Sequence, residues 1–379
     1  MEVGWDEVRA RRLLRSSLDE RAAGDRLVEV VRAVCGVHAQ VQASAELQLA
    51  ARVDVAQADV RAAVWEQRAL VKAWTVRGTL HLHPAQELSL WHAARRAVAG
   101  PADRGMPSWR DPAGAVHPEL DAEEVEAVRA AVWEVLDGRC LLREELAEEV
   151  VKRVGAAPRE RLRSGFAFFL GELCHGPPQG SRISLVRPDQ WIDGWRRLDD
   201  EAEALREVCR RFLRAYGPAR PADFSEWFSS AAFKAAEARA LFDELAGDLE
   251  EIGVEGRHCF VLAGDRSFPA PTSEVRLLPE YDVYVMGSRE RDQLVPPPVR
   301  ELIAGHGRGR YEGPAGVRLV LVDGIAGGLW ERRKRGRRIE LRVRLVRPPG
   351  KSRRAELEHE AERIGAFFGL EPVLTVEPV

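Results

Sequence analysis

The sequence predicts an α+β protein: tandem winged-helix domains, three of them, followed by a small antiparallel β-barrel or sheet. Three observations carry this. Apolar residues recur at helical spacing and then give way to a strand hairpin, and this order occurs three times before residue 264. Beyond Gly264 the apolar pattern turns strand-like, with glycine turns between the runs. At 379 residues the chain is too long for one core of ordinary size, while 45% hydrophobic and 31% charged residues are those of a soluble globular protein. The expected boundaries are 1–100 for the first winged-helix domain, 101–120 for a linker, 121–197 and 198–264 for the second and third domains, and 265–379 for a basic β-domain.

In chain order, Leu27, Val30, Val31, Val34 and Cys35 share one helical face. "GVHAQVQ", Gly36 to Gln42, then breaks that period. Residues two apart share a face only on extended backbone, so the segment is read as a strand or tight loop whose polar side chains His38, Gln40 and Gln42 project together. Helices follow at Ala45–Ala51 and Ala56–Gln67, and "KAWTVRGTLHLHP" alternates as a short hairpin. Gly100–Pro118 is rich in Pro and Gly, as linkers are. Asp121 with Glu124 three residues on forms a capping-box start for a helix striped by Val125, Val128, Val132, Val135 and Leu136. Leu142, Leu146, Val150 and Val154 supply a second helix, Phe166–Leu173 a third, and "SRISLVRPDQWI" a strand and wing. The third set has helices at Glu201–Tyr216, Pro221–Phe228 and Ala231–Leu245, and a hairpin "LEEIGVEGRHCFVLA" turning at Glu255-Gly256. The last region reads as strands with turns at Asp323-Gly324 and Gly327-Gly328, a helix near Ala355–Phe368 and a final strand, "PVLTV".

Composition narrows the function classes. No apolar run approaches the ~20 residues that cross a bilayer, and "MEVGWDEVRARRLLRSS" is charged where a signal peptide needs an apolar core. The five cysteines, Cys35, Cys140, Cys174, Cys209 and Cys259, are odd in number and never in a C-x-x-C pair. That points to a reducing compartment, the cytoplasm, with neither a disulfide framework nor a zinc site. Between Leu329 and Arg354 twelve Lys/Arg face two Glu, an excess of ten, so a chain of net charge −3 carries −13 elsewhere. An acidic body bearing a concentrated basic segment suits docking on a polyanion, or is an ordinary solvated strand pair. A winged helix is commonly a nucleic-acid module, although the fold also serves protein interaction.

"GVHAQVQASAELQLAARV", "VRGTLHLHPAQEL", "YGPARPADFSEWFS", "VRLLPEYDVYVMGSRERD" and "VLVDGIAGGLWERRKRGRRIELRV" together resemble the signature stretches of the AlkZ/YcaQ-like DNA glycosylases, over about residues 10 to 375. The resemblance implies a tandem winged-helix, monofunctional, cofactor-free and metal-free monomer. It would excise bulky N-alkylated purines from double-stranded DNA and unhook interstrand crosslinks, in repair or in self-resistance to DNA-alkylating antibiotics. The family's catalytic signature is a polar–aliphatic–polar triplet after a Gly-aliphatic pair. Here Gly36-Val37 precedes His38-Ala39-Gln40, which makes His38 and Gln40 the catalytic candidates. A second register places Gln40 and Gln42 there instead; the lead-in favours the first. His in the first position departs from the usual Gln, which bears on substrate range and crosslink activity.

The chemistry fits those residue types. An N7- or N3-alkylated purine is already cationic and leaves without protonation, so the enzyme needs mainly a positioned water and a stabilised oxocarbenium-like sugar. A carboxamide orients water but cannot take its proton. A neutral imidazole, with an unperturbed pKa of about 6.5, can take it. Arg77 in "VRGTLHL" is read either as a phosphate contact or as a hairpin arginine paired with a carboxylate. Arg332, Arg333, Lys334, Arg335, Arg337 and Arg338 surround Gly336, which suits a basic hairpin tip gripping DNA phosphate. His81 and His83 alternate on a strand without a third metal ligand and are read as exposed. Asp282 is read as a structural carboxylate near a turn, with a catalytic role as the lesser alternative, and Trp65, Trp74, Trp91 and Trp133 as core. The rival readings are a winged-helix transcription factor, which would dispense with the His38/Gln40 pair, and a metal-dependent nuclease, for which no carboxylate cluster presents itself.

Overall fold

The structure, a computed structural model, describes residues 1–99, 105–111, 114–164, 173–180, 182–229, 232–306 and 313–378. It is a mixed α/β protein whose internal contacts divide it into two compact units. One comprises Met1–Ala62, Cys209–Trp227 and Ala235–Val379, the other Ala63–Val208 and Phe228–Lys234.

In the first unit, Leu249–Val254 and Arg257–Leu262 form a hairpin closed by Glu255 and Gly256, whose φ angles of 45° and 77° are those of a two-residue type I′ loop. Glu2–Val3 adds to it in parallel. The helix Trp5–Arg15 then lays Trp5 and Val8 on this small sheet, against Ile252, Val254 and Val261. Its Leu13 reaches a second core with Leu278, Tyr284, Leu319 and Leu329, so one helix bridges two apolar clusters. That second core lies on a five-stranded sheet in the order Val275–Leu278, Leu319–Val322, Ile325–Arg335, Arg338–Leu345, Glu371–Pro378. The first four strands are antiparallel, but the last runs parallel to its neighbour, contrary to the all-antiparallel expectation. The cause is the helix Lys351–Phe368, which carries the chain back to the same end of the sheet before the strand begins. Asp323 and Gly324 make the expected turn, with φ of 55° and 74°. Gly327-Gly328 does not turn. The pair lies inside the strand Ile325–Arg335, where the register slips and a Cβ on Gly328 would sit 2.0 Å from the Arg344 carbonyl oxygen.

In the second unit, strands pair in the order Leu80–Pro84, Leu70–Trp74, Cys174–Gln179, Arg182–Val186, Leu141–Leu142. Asp121 caps the helix Ala122–Val135, accepting from the Glu124 N–H at 2.8 Å while Glu124 reaches back to the Asp121 N–H at 2.9 Å. This helix and Arg143–Val154 bury Val125, Val128, Val132, Leu146 and Val150 together. The strand Cys174–Gln179 has no counterpart in the sequence reading, because Gly176, Pro177 and Pro178 disguise it; a bulge between Gly176 and Gln179 accommodates the prolines. Within the expected linker, Trp109–Arg110 and Val116–His117 form a small antiparallel ribbon. The helix expected over Phe166–Leu173 lies outside the described residues, Leu173 excepted. No helix among the described residues is long and apolar enough to cross a membrane.

Candidate active site

The helix Leu27–Ala33 is capped at Val34 and followed by Cys35 and Gly36, with φ of 59° and 88°, and this left-handed pair turns the chain into the two-residue strand Val37–His38. His38 is buried, 4% exposed, and Gln40 is exposed in the bend that follows. Gln42 is the first residue of the next helix, Gln42–Ala50. The three polar side chains therefore do not form one projecting row. The strand ends at His38, a bend follows at Gln40 and Val41, and helical hydrogen bonds begin at the Val41 carbonyl, which accepts from Ala45 N–H.

That next helix is polar along a buried face, with Ser44 and Gln48 at i and i+4, and Arg52 continues the spacing from the turn just past its end. Each holds a piece of the site. Gln48 Nε2 donates to the His38 carbonyl at 3.0 Å, and its Oε1 accepts from Val283 N–H at 3.2 Å. Ser44 Oγ donates to the Glu280 carbonyl. Arg52 donates twice to Asp282, at 2.8 and 2.7 Å, with neither side chain exposed to solvent. Asp282 also accepts from Tyr284 N–H at 2.8 Å, capping the helix Val283–Gly287, so the structural role expected of it is the one observed. One helix face thus clamps the His38 loop to Glu280-Tyr281-Asp282, and the Tyr281 ring lies 5.2 Å from the imidazole, centroid to centroid.

Beside Glu280 opens a cleft of about 520 Å³ lined by Arg318, Trp330, Arg332, Glu340 and Arg342 among others. Burial would push Glu280 up, but Arg318, bonded to it at 2.7 and 3.1 Å, holds its carboxyl below the usual range. Burial and the neighbouring Arg318 lower Arg332, against the pull of Glu280 and Glu46. Its guanidinium lies 4.8 Å over the Phe368 ring. Arg332 and the more exposed Arg333 therefore belong to the cleft, whereas Lys334, Arg335, Arg337 and Arg338 are exposed towards the end of the hairpin Ile325–Arg335/Arg338–Leu345. Arg338 pairs with Glu371 at 2.9 Å. Glu46 is a residue that the sequence reading missed, although it is the one ionisable side chain in the helix Gln42–Ala50. It is 1% exposed and held by Gln57 at 2.6 Å, Arg61 at 2.9 Å and Gln42 at 3.4 Å.

The remaining candidates lie in the second unit. Arg77 sits in the hairpin turn Val76–Gly78 with φ 55°. His81 and His83 are not exposed: they are 2% and 0% accessible, since their strand is covered on the face they share. His83 Nε2 meets Thr75 Oγ1 at 2.8 Å and its ring lies 4.3 Å from Trp91. Of the four tryptophans read as core, Trp91 is fully buried; Trp65, Trp74 and Trp133 are half-buried, with Arg187 stacked over Trp133. Among the described residues no three His, Cys, Asp or Glu side chains converge as a metal site.

Residues 31–367 match the model of a protein family described as DNA glycosylase AlkZ-like. The chain is 32% identical over 343 residues to an interstrand DNA cross-link repair glycosylase of Streptomyces sahachiroi, spanning 87% of this chain and 88% of that protein. It is similar in structure to the Streptomyces sahachiroi DNA glycosylase AlkZ, with a TM-score of 0.81, 29% identity and 100% of each chain covered.

Proposed function

The chain belongs to the AlkZ-like DNA glycosylase family, and from that premise we propose that it is a monofunctional enzyme hydrolysing the N-glycosidic bond of bulky N7- or N3-alkylated purines in duplex DNA, interstrand crosslinks included. The observation that carries the site is the clamp of Ser44, Gln48 and Arg52, which fixes the His38–Gln40 loop against Glu280-Tyr281-Asp282 beside a cleft containing Arg318 and Arg332. The His38 imidazole takes the proton of the attacking water, and the Gln40 carboxamide, at the exposed end of the loop, orients that water towards C1′. The alkylated base departs with its bonding electron pair, which neutralises its positive charge, so no general acid is required. Undamaged bases, poor leaving groups, are spared for the same reason.

On this reading the protein acts as a monomer. The hairpins Leu70–Pro84, Cys174–Val186 and Leu249–Leu262, each following helices, are wings of three winged-helix modules. The exposed basic residues Arg333 to Arg338 grip phosphate, and Arg77 makes a further phosphate contact.

The test is release of N7-methylguanine from a duplex oligonucleotide, with alkali-labile abasic sites as a second readout. His38→Ala and Gln40→Ala should each reduce the single-turnover rate by about 10²-fold or more, the size of a general-base contribution. Wild-type rates in both variants would remove the assignment.

A further inference from the structure

Tyr281 has no role in the chemistry above, yet its backbone is held in an unusual conformation. Its backbone is left-handed, φ 60°, a conformation that costs a bulky residue on the order of 1–2 kcal/mol and persists only where surroundings impose it. The surroundings do impose it. On one side Glu280 is tied through its carbonyl to Ser44 and through its carboxylate to Arg318. On the other, Asp282 is locked to Arg52, and Tyr281 N–H itself donates to the Ala315 carbonyl at 2.6 Å. Glu280 and Asp282 are buried, at 5% and 0%, so the left-handed kink turns one side chain of the tripeptide outward, the half-buried Tyr281. The ring then overlies the His38 imidazole, tilted by 36°.

We infer that Tyr281 is a specificity-determining residue: its ring presents a π-face to the cationic purine of the lesion and selects charged bases over neutral ones next to His38. This rests on the glycosylase reading and deepens it. A positively charged, delocalised ring is attracted to the negative face of a phenol by its quadrupole and stacks on it better than an uncharged purine does. Such selection acts on the property that makes the base a good leaving group, and it operates before chemistry.

The experiment measures affinity apart from turnover. Duplexes carrying N7-methyl-2′-fluoro-2′-deoxyguanosine, whose glycosidic bond resists hydrolysis, are compared with duplexes carrying the uncharged 2′-fluoro-2′-deoxyguanosine. Binding is measured for wild type, Tyr281→Phe, Tyr281→Leu and Tyr281→Asn. Asparagine tolerates positive φ and keeps the test valid if the leucine variant does not fold. Wild type and Tyr281→Phe should prefer the cationic duplex by roughly tenfold, and the other two should lose that preference because affinity falls much more for the cationic duplex than for the neutral one. Preference retained without the ring, an equal loss on both duplexes, or no preference in wild type would each overturn the inference. Release of N7-methylguanine by the same proteins separates the two readings. Ring-dependent preference without any base release would remove the glycosylase reading and leave the cation-selective site. Normal release with a ring-independent preference would do the reverse.

Discussion

The pair formed by Arg52 and Asp282 decides whether the site exists at all. Both side chains are fully buried and joined by two short hydrogen bonds, and Arg52 also donates to the Gln48 carbonyl at 2.9 Å. A buried ion pair adds little over an apolar replacement of both partners, but removing one partner leaves a charge without compensation and costs about 3–5 kcal/mol. Asp282→Ala removes, in addition, the cap of Val283–Gly287. We expect it to lower the thermal midpoint of the first unit by on the order of 10 °C. Base release should fall in parallel, because Gln48, which touches both the His38 loop and Val283, loses its fixed frame. A melt within about 2 °C of wild type would mean, on the same scale of about 2–4 °C per kcal/mol, that the pair contributes less than about 1 kcal/mol and does not organise the site.

Among the elements, the hairpin of Ile325–Arg335 and Arg338–Leu345 carries a division of labour that its composition conceals. Gly336, with φ 57°, opens its two-residue loop; Arg332 and Arg333 line the cleft, while Lys334, Arg335 and Arg337, nearer the loop, stay in water. Replacing Arg333, Lys334, Arg335 and Arg337 by glutamine should weaken duplex binding and flatten its dependence on salt, by about 0.9 in log–log slope for each phosphate that is no longer neutralised. An unchanged slope across a salt series would show that the tip does not touch DNA. Turns of this kind were legible in the sequence because Glu255-Gly256 and Asp323-Gly324 place glycine where positive φ is required, and the Asp121 cap because its partner lies three residues away. What stayed hidden was non-local. The strand Glu2–Val3 finds its partner at Gly253–Val254, and Cys174–Gln179 is a strand despite its prolines. Gly327-Gly328 reads as a turn by itself and becomes a bulge only because Arg344 approaches so closely. At the site, the loop holding His38 could be found from its broken period. Its contact with Tyr281 could not, since Ser44 and Glu280, which bring the two segments together, are 236 residues apart. The i, i+4, i+8 spacing of Ser44, Gln48 and Arg52 was the available clue that this helix faces something polar.

At the scale of the molecule, two buried histidines give the second unit a weakness to acid. His92 is buried, and burial, reinforced by Arg95 and Arg96, lowers its pKa to about 3. His175 is buried edge-on against Trp74, with ring centroids 4.8 Å apart; burial, then Lys72 and Arg143, depress it well below the ordinary range. Both imidazoles are neutral in the folded protein and titrate near pH 6.5 when the chain unfolds. Below that pH the unfolded state therefore binds protons that the folded state refuses. The stability associated with the neutral rings is present in full above about pH 6.5 and is lost as pH falls towards the folded-state values. His92 contributes a slope of about 1.4 kcal/mol per pH unit between about pH 6 and pH 4, and His175 acts in the same direction. Carboxylates held down by arginines, such as Glu280 and Glu360 in the first unit, act in the same direction but at lower pH, where carboxyl groups titrate. The two units are thereby separable. Urea midpoints followed by hydrogen exchange at Leu70–Pro84 should drop steeply below about pH 6, and the drop should be shallower in His92→Phe if the larger ring fits, or in His92→Leu if it does not. Exchange at Ile325–Leu345 should hold until carboxyl protonation begins. If both regions lose protection together, with the histidine replacement making no difference, the buried imidazoles are not the acid-sensitive groups and the pH response belongs to the carboxylates throughout.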